Sequence, residues 1–307
     1  MKRIKRHEKN YDILSGHSYF IPGPGEIFIL TILLLVGALI GNVVGFLFLL
    51  CLPDAGQDAM MLVSYPLMFI PPMLYAQSKS MRSSMFDEGV ALDSENFGKP
   101  GFLGCAGLVI IGTLALSFTM DGVNSLMPPM PEWLETALNS MVEGRVWMNF
   151  LCVSIFAPFF EEWLCRGMVL RGLLNCKRKG EDGQRGIRPA FAIILSSLFF
   201  GLIHLNPWQA LPAFALGCLF GYVYYRTGSL KLTMLMHFTN NTFALIFSNI
   251  ESFKDVDSFV DAMPLPVYLG IAAICIILLY FIIKAFSRIE LQDKTGNCDK
   301  VKVPEVM

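Results

Sequence analysis

The chain alternates between long apolar runs and short polar connections. The runs cover Ile27–Leu52, Met60–Gln77, Gly101–Met120, Val146–Leu174, Pro189–Leu205, Leu211–Tyr225, Leu230–Phe247 and Val267–Phe286. Most approach the roughly 20 apolar residues that a helix needs to cross a bilayer. They predict an all-α integral membrane protein, a bundle of about eight transmembrane helices. Pro71-Pro72 is expected to kink the second run or to end it early. Two stretches carry a different pattern. In Pro131–Gly144, the residues Trp133, Leu134, Ala137, Leu138 and Met141 recur at helical spacing, with Glu132, Glu135 and Asn139 opposite them. In Ser248–Met263, Phe253, Val256, Phe259, Val260 and Met263 do the same. Both read as short amphipathic helices lying in the interface. Residues 1–25 and 287–307 read as polar tails on a transmembrane domain of residues 26–286. The first apolar run starts too late and runs too long for a signal peptide, and no small-residue cleavage site follows it.

Composition agrees with the pattern. With 54% hydrophobic residues, the chain is too apolar to be a soluble domain. The net charge of −1 says little about partners, but the distribution of charge sets an orientation. With both termini in the cytoplasm, only Arg145 and Lys254 of the 24 lysines and arginines fall on the far side. That asymmetry supports cytoplasmic termini in a multi-pass protein of the cell membrane. The residues Trp133, Trp147 and Trp208 then lie near the outer interface. The expected partners are the lipid bilayer and a membrane-associated peptide, with no nucleic acid. The eight cysteines include no C-x-x-C pair; most lie in apolar runs as small hydrophobes.

The fourth run is the unusual one. It contains Glu161, Glu162 and Arg166 within six residues, and charged groups inside a membrane helix are costly enough to be functional candidates by default. Glu162 and Arg166, four residues apart, share a helix face and can pair. Glu161 has no such partner and is left free to act. The only histidines in the apolar region are His204, in Phe200-x-x-x-His204, and His237, in His237-x-x-x-Asn241. Polar groups in spanning helices converge on the bundle interior. A carboxylate and an imidazole there can activate water, while a second imidazole and an amide can donate to a developing oxyanion. This is the chemistry of amide hydrolysis without a covalent intermediate. Zinc is the other use of these residue types, with Glu161, His204 and His237 as the ligands if a metal is present. No H-E-x-x-H spacing supports it, and no cofactor is expected. Serine chemistry lacks its G-x-S-x-G, and Ser196 and Ser197 are expected to bond backbone carbonyls.

These three motifs, in this order on successive runs, resemble the CAAX-protease and bacteriocin-processing (Abi) family of intramembrane endopeptidases, over roughly residues 146–247. The resemblance implies an eight-helix bundle. It also implies that Glu161 and His204 activate water, that His237 and Asn241 form an oxyanion hole, and that Glu162 and Arg166 support them. A metal-independent mechanism is the implied one. The expected substrate is a membrane-associated peptide or protein, either lipidated or carrying a leader peptide. The alternative is a non-catalytic scaffold or a bacteriocin immunity protein; a transporter would want pseudo-symmetric halves, which are absent. One geometric tension accompanies the reading. At about 1.5 Å per residue, His204 lies about 22 Å from Pro189 but His237 only about 10 Å from Leu230. For the two to meet, helices must tilt strongly or the Asn206-Pro207-Trp208 turn must dip into the membrane.

Overall fold

The structure is a computed structural model that describes residues 14–84, 90–142, 144–175, 187–250 and 258–291. Among these residues there are helices and no strands. The helices are α1 (Pro24–Cys51), α2 (Gln57–Ser83), α3 (Gly101–Asn124), α4 (Glu132–Val142), α5 (Val146–Asn175), α6 (Pro189–Leu202), α7 (Pro207–Thr227), α8 (Leu230–Ser248), the single turn α9 (Phe259–Ala262) and α10 (Leu265–Ser287). By length and hydropathy five of them, α1, α2, α3, α5 and α10, can cross a membrane. The chain is therefore an all-α, multi-pass membrane protein. Its outer surface fits that setting: Leu39 on α1 is 68% exposed and Phe281 on α10 is 59% exposed. Such faces are stable where the surroundings are lipid rather than water.

Several expectations are corrected. Pro71-Pro72 do not end the second run; α2 continues through Pro66, Pro71 and Pro72 to Ser83. Inside a bundle, neighbouring groups can satisfy the carbonyls that proline leaves unpaired. The run read as Pro189–Leu205 is helical only to Leu202, so His204 lies on the turn that follows α6 and not on the helix. Residues 14–22, read as part of a polar tail, contribute Leu14, His17 and Phe20 to the core. The guanidinium of Arg171 holds them there. It donates to the carbonyls of Ser18 (3.2 Å), His17 (3.3 Å), Phe20 and, in the loop after α2, Val90 (2.6 Å). Arg166 and Arg171, counted among the cytoplasmic charges, are both buried inside the bundle. Of the second amphipathic stretch, Phe259–Ala262 forms one turn, and residues 251–257 lie outside the described residues. In α4, Leu134 is buried and Glu132 and Glu135 face outward, as its spacing predicts, but Trp133, expected on the apolar face beside Leu134, is 72% exposed.

Close helix contact depends on small residues. Gly37, Gly41 and Gly45 line the buried face of α1 against α2. A Cβ built on Gly41 would stand 2.5 Å from the Ser64 carbonyl oxygen, so the two backbones touch. This is the small-x-x-x-small packing of membrane helices.

Hydrogen bonds define two ends of the bundle. At one end the segment between α2 and α3 ties down the α7–α8 turn. Ser94 N–H donates to the Gly228 carbonyl (2.9 Å), and Asp93 accepts from Ser229 Oγ (3.0 Å) and pairs with Lys231 (2.9 Å). Asn96 reaches the Glu290 carbonyl beyond α10 (2.7 Å). Gly228 adopts the left-handed conformation (φ 66°) that ends α7, where a side chain would be strained. At the other end Asp58 pairs with Arg145 (2.8 Å), Trp208 Nε1 donates to the Pro128 carbonyl (2.8 Å), and Asp121 accepts from Phe259 N–H (2.8 Å). Every described lysine and arginine other than Arg145, Arg166 and Arg171 flanks the first end.

Candidate active site

The reactive residues sit on α5, whose backbone is not uniform. Phe150–Phe156 and Trp163–Leu170 are π-helical, and Ala157–Glu162 between them is α-helical. π-turns accommodate an extra residue and recur at functional sites. Glu161 and Glu162 close the α-helical stretch, so their carboxylates leave the helix in different directions with different partners.

Glu162 is fully buried. One of its oxygens accepts from Arg166 Nη1 at 2.7 Å and from His237 Nδ1 at 3.0 Å. Arg166 also donates to the Gly217 carbonyl (3.2 Å), and its guanidinium lies over the rings of Phe200 (4.5 Å) and Phe220 (5.1 Å). Taking an ion pair out of water is expensive, and it persists only where such added contacts compensate. The Glu162–Arg166 pair follows from its spacing; the bond from His237 does not, because it joins α5 to α8.

Glu161 has different neighbours. The phenol of Tyr65, on α2, donates to Glu161 Oε1. Oε2 is buried and has no protein partner among the described residues. His204 is fixed by the turn that carries it. Leu205 is left-handed (φ 57°), and Asn206 caps α7 by accepting from Gln209 N–H (2.9 Å). The His204 Nδ1–H donates to the Phe200 carbonyl (2.9 Å). In the neutral ring this leaves Nε2 as the lone-pair nitrogen. The edge of Phe200 touches both imidazoles, with ring centroids 5.3 Å from His204 and 5.4 Å from His237. The turn after the short α6 thus resolves the tension in the sequence: His204 leaves the helix and meets His237 across one phenylalanine.

Asn241 closes the set through a relay of amides. Ser117 Oγ, on α3, donates to Asn240 Oδ1 (2.7 Å), and Asn240 Nδ2 donates to Asn241 Oδ1 (3.0 Å). Asn241 Nδ2 donates to the Val153 carbonyl in the first π-stretch (2.8 Å). The Asn241 amide is therefore oriented from both sides and keeps one hydrogen uncommitted. Glu161, His204, His237, Asn241, Tyr65 and Asn240 all line one cavity of about 550 Å³. Glu162 and Arg166 lie behind its wall.

Sequence reading missed Tyr65, Ser117 and Asn240. The one available signal was a tyrosine hydroxyl inside an apolar run, which needs a partner when buried. Ser196 and Ser197 bond the Cys165 and Ile193 carbonyls (2.9 and 2.7 Å), as expected. No group of three His, Cys, Asp or Glu side chains among the described residues stands close enough to hold one ion.

The cavity wall thus offers an oriented carboxylate oxygen, an imidazole lone pair, a second imidazole held by a buried carboxylate, and an amide donor. Residues 143–243, which supply most of this wall, match the family described as type II CAAX prenyl endopeptidase, Rce1-like. The chain is also similar to the membrane-embedded CAAX protease MroQ of Staphylococcus aureus (strain USA300), at 32% identity over 105 residues, 33% of this chain and 40% of that protein. The similarity thus spans less than half of that relative's length. No solved structure matches the chain. The stretch that supplies most of the reactive wall is thus similar to type II CAAX prenyl endopeptidases.

Proposed function

We propose that the chain is an intramembrane endopeptidase that hydrolyses a peptide bond in a membrane-associated peptide or protein, using water activated between Glu161 and His204. The observation that carries the reading is the shared cavity: Glu161, His204, His237 and Asn241 come from α5, the α6–α7 turn and α8 and face one space. Water hydrogen-bonded to His204 Nε2 attacks the scissile carbonyl carbon, and Glu161 Oε2 takes its proton. The carbonyl π-electrons move onto oxygen. Asn241 donates its uncommitted amide hydrogen to that oxyanion. His237, whose Nδ1–H is held by Glu162, donates from Nε2 as an imidazolium. Collapse breaks the C–N bond, and Glu161 returns the proton to the leaving amine. Two products form, with no covalent enzyme intermediate and no step through a metal. The match to CAAX-type proteases supports the reaction class. A prenylated substrate or a leader peptide remains a choice for experiment. The basic end of the bundle faces the cytoplasm in this reading, with both termini there.

The test uses purified protein in liposomes and internally quenched peptides, some ending in a prenylated C-terminal tetrapeptide and some carrying hydrophobic leader sequences. Glu161→Gln, His204→Ala and His237→Ala are each expected to lower turnover by about 100-fold or more, while the protein still inserts. Turnover that survives Glu161→Gln would overturn the mechanism.

A further inference from the structure

We infer that the cavity is entered from the end of the bundle opposite the basic loops, so that its target is a peptide segment at the extracytoplasmic leaflet. The nature of that target rests on the hydrolase reading; the direction of the opening does not.

The direction follows from where the lining residues fall along each helix. α2 starts at the Asp58–Arg145 end and lines the cavity only with Met61 and Tyr65 in its first turns. α5 also starts there, and none of its residues beyond Glu161 takes part. α7 starts at that end with Trp208 and contributes down to Phe220. The helices running the other way agree. α3 lines the cavity from Ser117 to its last residue, Asn124, and α8 from His237 to its last residue, Ser248. The basic-end third of each of these five helices is left out. There the floor is closed by Trp163, Leu164, Arg166, Leu170 and Phe220, each at most 1% exposed. At the other end, the lining residues Gln209 and Ser248 are exposed. Among the described residues the cavity is thus closed toward the basic end and open toward the other.

Charge then assigns the mouth to a side of the membrane. Lys79, Arg82, Lys99, Arg188, Arg226, Lys231, Lys284 and Arg288 flank the closed end. At the mouth end the only described cation is Arg145, which is bonded to Asp58. Cationic flanks stay in the cytoplasm, so the mouth faces outward. Trp208 lines the mouth and its indole N–H is held by Pro128; an indole in that position marks the headgroup level. A peptide at the outer interface meets the opening directly, whereas one on the cytoplasmic face meets the closed floor.

The experiment reads accessibility without needing turnover. Ser248→Cys, Gln209→Cys and Arg82→Cys are made separately in a background where Cys51, Cys176 and Cys298 are serine. Each is treated with a membrane-impermeant maleimide in intact cells and in inverted membrane vesicles. The expected result is labelling of Ser248→Cys and Gln209→Cys in intact cells with loss of labelling in inverted vesicles, and the reverse for Arg82→Cys. Labelling of the two rim positions only in inverted vesicles would overturn the orientation; labelling in neither preparation would overturn the open mouth. If a cysteine variant fails to accumulate, wild-type protein with a C-terminal epitope tag gives the same answer. The tag must be inaccessible to antibody in intact cells, and its exposure there overturns the inference. Outward labelling without any Glu161-dependent cleavage refutes the hydrolase reading alone. Cleavage with inward labelling refutes this inference alone.

Discussion

Tyr65 holds one oxygen of Glu161, and the other is buried without a protein partner among the described residues. A base anchored at one oxygen keeps the second where water can meet it, and loss of a hydrogen bond to a charged group costs about 1.5–3 kcal/mol. If that energy fixes the base during attack, Tyr65→Phe lowers kcat by about 10- to 100-fold with KM unchanged. The ring still packs against Phe69, so the melting temperature should move little. An unchanged kcat would show that Glu161 needs no anchor. The difference in how Tyr65 and Glu161 read from sequence has a physical source. A carboxylate in an apolar run must be explained, because burying it is costly. A tyrosine there reads as packing, and only the fold shows where its hydroxyl goes. Glu162 was half legible: its ion pair lies within one helix, but its bond to His237 crosses from α5 to α8.

At the scale of the elements, apolar runs located the helices well because each run has to fill a bilayer. Their ends and interruptions depended on tertiary neighbours. α2 passes three prolines, and α6 stops at Leu202 so that His204 can turn inward. The π-helical stretches of α5 left no mark in the apolar periodicity. The α1–α2 contact is the clearest case for a test. Gly41 lies against the Ser64 backbone with no room for a Cβ. Gly41→Leu must push the helices apart, and overpacking costs about 1–3 kcal/mol or more when the obstacle is backbone. Because Tyr65 follows Ser64 on α2, the shift should also reduce turnover. A lower melting temperature in detergent together with reduced activity is expected; wild-type stability would contradict the close packing.

For the molecule as a whole, the charge asymmetry was legible because it depends on counting, and the clamped N-terminal segment was not, because it depends on Arg171 finding backbone carbonyls. Within that segment His17 stacks edge-on against Trp163, its Nε2–H meets the Met73 carbonyl (3.3 Å), and its buried Nδ1 has no partner among the described residues. Burial, reinforced by the nearby Arg171 charge, lowers its pKa below the ordinary 6.5. A lowered value means the undocked segment takes up a proton more readily than the docked one. Docking is therefore fully stable above about pH 6.5 and weakens as pH falls from there toward the native value. The melting temperature should drop between about pH 7 and about pH 5.5, and His17→Phe should flatten that part of the slope. A slope unaltered by His17→Phe would assign it to other groups.

The most direct test of the central claim compares peptide termini in membranes of cells carrying wild-type protein with those carrying Glu161→Gln at equal abundance. Hydrolysis at this cavity predicts particular new termini with the wild type, absent with Glu161→Gln, and those termini would name the substrate and the bond. Identical termini in both, alongside a measurable effect of deleting the whole protein, would contradict the account and leave a scaffold in its place.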